Sequence, residues 1–330
     1  MKPSALDAFV CPACQCGLDL RVSRKQGAEV LDGRLLCRGC GTSYPISSGV
    51  PRFVPDGAYA ESFGYQWKWF RTVQLDSATG ASRSDEMLRA TTGWADDEYR
   101  ARRLLDAGVG AGRFAERAAA NGADVFGIDL TPAVDTAYRN IGHRANVHLA
   151  QADIFALPFR RDTFDLAYSI GVLHHTPDPQ TAFARIAPLV KPGGKLAVYL
   201  YARYGSSHRA SDALRMVTTR LPLRAMWILS AAAIPLYYLY RVPALGRLAR
   251  LALPISMDPN WRWRWLDTFD WYTPTYQWKL LYPEVFRWFR DNGFEDVALF
   301  DGPIRMCGRK RLAKELTDER TRRRDDLVAS

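Results

Sequence analysis

Residues 104–112 read LLDAGVGAG, and this stretch decides the fold. An apolar run ends at Asp106, and glycines follow at every second position: Gly108, Gly110 and Gly112. Residues 113–120 then have the composition of a helix. A glycine-rich turn between a strand and a helix lets a ligand approach the backbone at the helix N-terminus. The stretch therefore predicts the first strand, turn and helix of a ligand-binding α/β sheet.

The same alternation of strand and helix continues after this stretch. Further strands are predicted at 123–129, 147–150, 164–170 and 195–201, then, after a helix at 283–292, at 295–300 and 304–308. Alternation of this kind predicts a parallel sheet with helices on both faces.

Three carboxylates mark the carboxyl ends of the first three strands. A dinucleotide fingerprint would need its third glycine at position 113, which is Arg, and Asp106 would repel a pyrophosphate. Asp106 instead suits a cationic ligand that carries an amino group and a sulfonium. Asp129 is spaced to accept ribose hydroxyls, and Asp153 lies within reach of an adenine amino group. The alternative is that these are ordinary turn residues of an unliganded sheet.

These segments resemble the class I S-adenosylmethionine (SAM)-dependent methyltransferases of type 11. The resemblance lies in five motifs: LLDAGVGAG (104–112), FGIDL (126–130), QADI (151–154), FDLAYSIGVLHHTP (164–177) and LVKPGGK (189–195). It implies a Rossmann-like, seven-stranded sheet with an antiparallel last strand, and SAM as the methyl donor.

The resemblance also implies a set of cofactor contacts. Asp106 and the three glycines would line the methionine end of SAM, Asp129 with Leu130 the ribose, and Asp153 with Ile154 the adenine, with Ile170 as a further contact. A bacterial subgroup of the family carries an N-terminal zinc ribbon and a Phe-Gly-x-Gln-Trp segment. That segment corresponds here to residues 63–67 and implies contacts from Gln66 and Trp67.

Four of the six cysteines form two C-x-x-C pairs separated by 22 residues: Cys11, Cys14, Cys37 and Cys40. Two such pairs predict a structural Zn²⁺ site with tetrahedral thiolate ligands. Cys16 is an alternative ligand to Cys14, and ordinary unligated thiols are the alternative to a metal. The module resembles the zinc ribbon in the activating subunit of tRNA methyltransferases, including Tyr44-Pro45-Ile46.

His174 and His175 follow the fourth strand, where this fold presents the acceptor. A hydroxyl acceptor needs a base for its proton, and His has a suitable pKa. His175 is the preferred candidate over His174. The alternative is that both rings support the turn at Gly171.

The basic charge is concentrated in an insertion at 202–281. The chain carries 45 Lys and Arg against 35 Asp and Glu, and residues 202–266 alone contain ten Arg, no Lys and two Asp. The uncharged run 225–240 is too short to span a bilayer, so two interpretations remain: a helical lid, or a helix in the membrane interface. Residues 261–265 read WRWRW, which would place three Trp on one face if extended.

The predicted organisation is a zinc ribbon at 1–54, an aromatic connector over the cofactor site at 55–100, a core at 101–201 and 282–308, an Arg-rich substrate lid at 202–281, and a charged tail at 309–330. The predicted function is SAM-dependent O-methylation of a glycan, a lipid-linked sugar or a small metabolite. The alternative is RNA or translation-protein methylation with the ribbon as docking module, although nucleic acid is the less favoured partner. The N-terminal residues lack an apolar segment, which favours the cytoplasm, including the inner face of its membrane.

Overall fold

The computed structural model describes residues 1–54, 62–203 and 208–312. Residues 55–61 of the predicted connector, 204–207 of the insertion and 313–330 of the predicted tail therefore lie outside the described residues.

An antiparallel sheet of four strands forms the N-terminal module. Its strands follow the chain in order: β1 (Leu18–Gln26), β2 (Glu29–Cys37), β3 (Ser43–Ser47) and β4 (Val50–Pro51). This sheet, together with the four clustered cysteines described below, agrees with the zinc ribbon expected from the cysteine spacing.

The central sheet has seven strands in the order β10-β11-β9-β8-β5-β6-β7. The strands are β5 (Arg103–Ala107), β6 (Asp124–Asp129), β7 (Val147–Gln151), β8 (Phe164–Ile170), β9 (Val190–Tyr199), β10 (Phe294–Phe300) and β11 (Arg305–Lys310). Strands β5 to β9 run parallel, and β11 pairs antiparallel with both of its neighbours. The predicted Rossmann-like methyltransferase fold, with its antiparallel last strand, is confirmed.

Within residues 1–54 and 62–203, the α-helices that precede the insertion are α1 (Ser62–Tyr65), α2 (Asp76–Thr79), α3 (Arg83–Thr92), α4 (Arg113–Ala120), α5 (Ala133–Ile141) and α6 (Pro179–Ile186). Helix α6 begins where local chemistry predicts, because Asp178 accepts hydrogen bonds from the N–H groups of Gln180 and Thr181. Gly112 is the N-cap of helix α4, and its φ of 93° is one that residues with a side chain rarely adopt.

The insertion is helical, and α12 (Tyr282–Asp291) follows it. Its helices are α7 (His208–Thr218), α8 (Leu223–Ser230), α9 (Ala233–Leu239), α10 (Pro243–Ala252) and α11 (Trp261–Tyr272). The uncharged run 225–240 is divided between α8 and α9. Among the described residues, the helices are too short and too polar to cross a membrane.

Residues 261–265 belong to helix α11, so the extended interpretation of the Trp-Arg alternation is wrong. Asn260 caps this helix by accepting from the N–H groups of Arg262 and Trp263. At helical spacing the three Trp do not share a face. Trp263 is buried, whereas Trp261 is 44% exposed.

The N-terminal module packs directly on the central sheet. The Phe9 ring stacks on Phe159 with centroids 5.4 Å apart and meets Phe126 edge-on. The Phe53 amide donates to the Gln151 carbonyl of edge strand β7 at 2.8 Å. Buried residues of both units therefore form one continuous apolar core.

Candidate functional site

Four cysteine thiols meet at one end of the N-terminal module. The Sγ atoms of Cys11, Cys14, Cys37 and Cys40 all lie within 4.8 Å of one another. Individual contacts are 3.6 Å between Cys11 and Cys40 and 3.3 Å between Cys14 and Cys37. Tetrahedral Zn–S bonds of about 2.3 Å would space the sulfurs by about 3.8 Å, so the group fits a zinc ion with all four positions filled. Cys16 lies outside this group.

A cavity of about 900 Å³ opens at the carboxyl ends of the parallel strands. This edge of an open α/β sheet is where ligands bind in such folds. The walls come from three parts of the chain: the turns after β5, β6, β7 and β8, the segment around Gln66, and the insertion.

Most of the predicted cofactor residues line this cavity. Those that do are Gln66, Trp67, Gly108, Gly110, Asp129, Leu130, Asp153, Ile154 and Ile170, and His175 lines it as well. Asp106, Gly112 and His174 are not among the lining residues.

The glycine turn has two different steric requirements. At Gly108 an added Cβ would lie 2.2 Å from Val172 Cγ2, so a side chain there would displace the loop after β8. At Gly110 an added Cβ would meet nothing within 4 Å, because this part of the turn faces the cavity. Gly112 instead packs under the turn, where a Cβ would lie 2.8 Å from Ile141 Cδ1.

Asp129 is the last residue of β6 and is held by the turns on either side. One carboxylate oxygen accepts from the Gly110 N–H at 2.9 Å, and the other accepts from the N–H and hydroxyl of Thr131. Burial raises the pKa of Asp129, and these hydrogen bonds oppose that shift. The carboxylate is therefore fixed at the strand end, facing the cavity.

Asp106, a predicted cofactor contact, is not among the residues that line the cavity. It is 1% exposed, and the Tyr168 hydroxyl on β8 donates to it at 2.9 Å. The physical reason is its position inside β5, beside Tyr168 in the register of β8. Burial raises the pKa of Asp106 to about 7, while the Tyr168 bond opposes the shift.

The two histidines differ in their surroundings. His174 is fully buried, its ring stacks on Tyr201 at 3.9 Å between centroids, and neither of its ring nitrogens has a hydrogen-bond partner. His175 Nδ1 lies 2.9 Å from the Tyr276 carbonyl. That carbonyl only accepts, so Nδ1 carries the proton and Nε2 holds the lone pair. Burial lowers the pKa of His175 to about 4.

The insertion supplies one wall of the cavity through Trp263, Asp267, Asp270 and Trp271 of α11 and through Lys279. Outside the insertion, the cavity is also lined by Arg83, Arg113, Tyr199 and Tyr201. Helical spacing could have indicated that residues 263, 267 and 270 share a face, but not that this face turns inward.

Arg113 directly follows the glycine turn and lines the cavity. Its Nε donates to the Ser84 hydroxyl at 3.2 Å, and its guanidinium lies 5.2 Å from the Trp263 ring centroid. Burial lowers its pKa to about 10. Burial also raises the pKa of Asp267 to about 7, against the opposing effect of Arg113. The part of the cavity bordered by α11 therefore holds acidic and basic side chains between aromatic walls.

Residues 105–198 match the family model described as a methyltransferase domain. Among curated proteins, a ubiquinone biosynthesis O-methyltransferase from Aromatoleum aromaticum is 35% identical over 120 residues, which are 32% of this chain and 51% of that protein. A protein of the same name from Coxiella burnetii is 32% identical, over 32% of this chain and 50% of that protein. The chain thus spans about half the length of the curated relatives it matches.

A solved structure of an S-adenosylmethionine dependent methyltransferase from Mesorhizobium loti is 30% identical to this chain. The match covers 36% of this chain and 53% of that one, with a TM-score of 0.32. The region matched by the family model holds the glycine turn and the ends of β6, β7 and β8.

Proposed function

We propose that this protein is a SAM-dependent methyltransferase that methylates a hydroxyl group of a small acceptor: a glycan, a lipid-linked sugar or another small metabolite. The observation that carries the proposal is the single continuous cavity. It extends from the glycine turn and Asp129 to the aromatic wall of α11, so one space borders both the donor residues and the acceptor residues.

The residues around the donor end fit SAM. Gly110 leaves open space beside the backbone, and Asp129 presents a fixed carboxylate to ribose hydroxyls. Asp153 and Ile154 border the adenine position, and Gln66 and Trp67 cover the cavity from the connector. When bound, SAM supplies an electrophilic methyl group on a sulfonium. We omit Asp106 and Gly112 from the direct contacts, because neither lines the cavity.

The acceptor end suits a small molecule. Trp263, Trp271 and Tyr201 form apolar walls, and the insertion covers the opening. His175 is proposed to contact the acceptor through Nε2. With a pKa of about 4 its ring is neutral at pH 7, so it accepts a hydrogen bond well but is a weak base.

We also propose that the four clustered cysteines hold a structural Zn²⁺. Their thiolates would fill all four tetrahedral positions, which leaves no position for a reacting group.

Peripheral contact with an anionic membrane surface is a further proposal for α7 to α10. Ten of the 18 exposed large apolar side chains in the described part of the chain lie between residues 216 and 253, among them Ile228 at 71% and Leu229 at 56%. Arg220, Arg224 and Arg241 are exposed beside them. Apolar side chains with Arg neighbours are typical of interfacial helices. Arg215 does not contribute, because it is buried and donates to the carbonyls of Trp271 and Pro274.

A vesicle flotation assay tests the membrane contact. The protein should float with vesicles of phosphatidylcholine and phosphatidylserine, and the double variant Ile228→Ser, Leu229→Ser should remain in the lower fraction. Leu299→Ser, which changes an equally exposed leucine on β10, is the matched control. Equal flotation of all three proteins would contradict the assignment of this surface.

The acceptor class is tested with methyl-labelled SAM and a lysate of the host that lacks the gene. The label should appear in the organic or carbohydrate fraction with the wild-type protein and be absent with Asp129→Ala. Label that is lost on RNase or protease treatment would instead favour RNA or protein methylation, with the N-terminal module as a docking surface.

A further inference from the structure

Helix α11 places two carboxyl groups on one face of the cavity. Asp267 and Asp270 are three residues apart, so their side chains are neighbours on the helix surface, and both line the cavity. The helix is held in this orientation by its other faces. Trp265 Nε1 donates to the Trp227 carbonyl at 2.8 Å, and the buried Arg264 donates to the carbonyls of Asp258 and Pro259.

Gln66 connects this helix to the segment beside the cofactor residues. Its Nε2 donates to Asp270 Oδ1 at 2.7 Å, across 204 residues of sequence. The side chain is completely buried, yet its Oε1 has no hydrogen-bond partner. A buried amide oxygen without a donor is costly and uncommon, so it indicates that a ligand supplies the missing donor.

The Gln66 oxygen and the Asp270 carboxyl are therefore adjacent hydrogen-bond acceptors in an aromatic-walled space. A ligand that satisfies both needs two adjacent donors. A cationic amine is disfavoured, because the positive charges of Arg113 and Arg83 already face Asp267 on the same wall. Two neighbouring hydroxyls on a ring supply both donors without added charge, and the apolar faces of a ring suit the aromatic side chains of the cavity wall.

We propose that the acceptor is a ring with a vicinal diol, that Asp270 takes the proton of the hydroxyl to be methylated, and that Gln66 Oε1 holds the neighbouring hydroxyl. In this step the acceptor O–H bond breaks and its proton passes to the Asp270 carboxylate, while the oxygen forms a bond to the methyl carbon and the methyl–sulfur bond breaks with its electron pair remaining on sulfur. The inference rests on the proposed function, which supplies the methyl donor.

Asp270 is better suited to this proton than His175. Burial, together with the nearby Asp267, raises the pKa of Asp270 well above its usual value, whereas burial lowers that of His175 to about 4. A carboxylate with a raised pKa is the stronger base of the two. The assignment rests on the position of Asp270, which accepts a hydrogen bond from Gln66. Among the described residues that line the cavity, Gln66 is the only one whose buried amide oxygen has no hydrogen-bond partner.

The test uses the full chain and two minimal probes, cis-1,2-cyclohexanediol and cyclohexanol. Binding of S-adenosylhomocysteine is first measured by calorimetry, and the probes are then titrated into the loaded protein and followed by saturation-transfer NMR. The wild type should bind the diol about tenfold more tightly than the mono-alcohol, as expected for one added hydrogen bond to a buried acceptor.

Three variants separate the roles. Gln66→Leu removes the amide oxygen, and Asp270→Asn replaces one carboxylate oxygen by an N–H donor, so each should reduce the diol preference to about twofold or less. Asp270→Asn should do so while S-adenosylhomocysteine affinity stays within about threefold. Asp267→Asn removes the same charge one turn away but leaves the Gln66–Asp270 pair intact, so the preference should persist. Asp270→Asn should also lower methyl transfer to the diol by about a hundredfold or more, whereas His175→Gln should lower it less.

Failure of the proposed function and failure of this inference give different results. A wild-type protein that binds no S-adenosylhomocysteine would refute the proposed function and the inference with it. A wild-type protein that binds S-adenosylhomocysteine but not the diol, or that binds both probes equally, would overturn the inference alone. The inference alone would also be overturned if Gln66→Leu and Asp270→Asn fold, bind S-adenosylhomocysteine and keep the preference for the diol over the mono-alcohol.

Discussion

Replacement of Asp106 by Asn should change how stability depends on pH. The carboxyl group is 1% exposed inside β5, it accepts a hydrogen bond from the Tyr168 hydroxyl, and burial raises its pKa to about 7. In the unfolded chain the pKa returns to about 3.9. The folded state therefore binds the proton more tightly, and the free energy of unfolding falls as the pH rises from about 4 to about 7.

The size of this effect follows from the two pKa values. Between about pH 4 and about pH 7 the unfolded carboxyl group is ionised while the folded one keeps its proton, so this residue should lower the free energy of unfolding by about 4 kcal/mol in all. About 2 kcal/mol of this decline falls between about pH 5.5 and about pH 7.5, where it levels off. Because the side chain is shielded from water, solvent does not screen its effect on the free energy of unfolding. The Asp106→Asn variant has no titrating group at this position, so its free energy of unfolding should not show this decline.

Urea unfolding at half-unit pH steps across this window measures the difference. Subtracting the variant curve from the wild-type curve removes the contributions of all other titrating groups, including the cysteines, which makes the difference specific to position 106. Tyr168→Phe provides a second test, because loss of the hydroxyl donor should raise the Asp106 pKa further and move the decline to higher pH. Parallel curves for the wild type and Asp106→Asn would refute the burial argument.

Three further predictions concern the turn, the ribose residue and the zinc site. Asp129→Ala should weaken SAM binding about tenfold or more, since it removes a charged hydrogen-bond acceptor; unchanged affinity in calorimetry would remove Asp129 from the site. Gly108→Ala should weaken SAM binding and lower the melting temperature, because its methyl group would lie 2.2 Å from Val172; Gly27→Ala, where nothing lies within 4 Å, controls for the loss of a positive-φ glycine. Cys37→Ser or a zinc chelator should destabilise the central sheet together with the N-terminal module, because Phe9 and Phe159 share one core. Hydrogen exchange measures this. If chelator treatment reduced the protection of backbone amides in the N-terminal module alone, the prediction would be contradicted.

The order of strands and the cysteine group were predictable because their signals are local. Each strand of the central sheet is a short apolar run next to a turn, and the C-x-x-C pairs carry their own geometry. Strand bounds were less predictable. Residues 191–194 have the composition of a turn, yet β9 begins at Val190. The pairing with β8 shifts register between Phe164 and Leu166, so tertiary pairing decides this boundary.

Helix α11 shows where a local pattern fails. The sequence WRWRW alternates like a strand, and only the Asn260 cap indicates a helix. What holds the helix is distant in sequence: Arg264 is 2% exposed with its guanidinium 3.6 Å from the Tyr237 ring centroid, and Trp265 donates to Trp227. A buried arginine whose hydrogen bonds are all to backbone carbonyls cannot be distinguished from a solvated one by composition.

The same reasoning explains why the motifs predicted cavity-lining residues at the strand ends better than those on α11. Asp129 and Asp153 follow strands whose ends must meet at one edge, so topology alone brings them together. Asp106 also lies near the carboxyl end of a strand, but strand pairing places it beside Tyr168, to which it is hydrogen-bonded. The sequence carries no signal that distinguishes a carboxylate buried in this way from one that lines the cavity. The Gln66–Asp270 pair depends on an insertion that folds back over 204 residues. The wall of the cavity opposite the glycine turn therefore rests on contacts that the shared motifs do not encode.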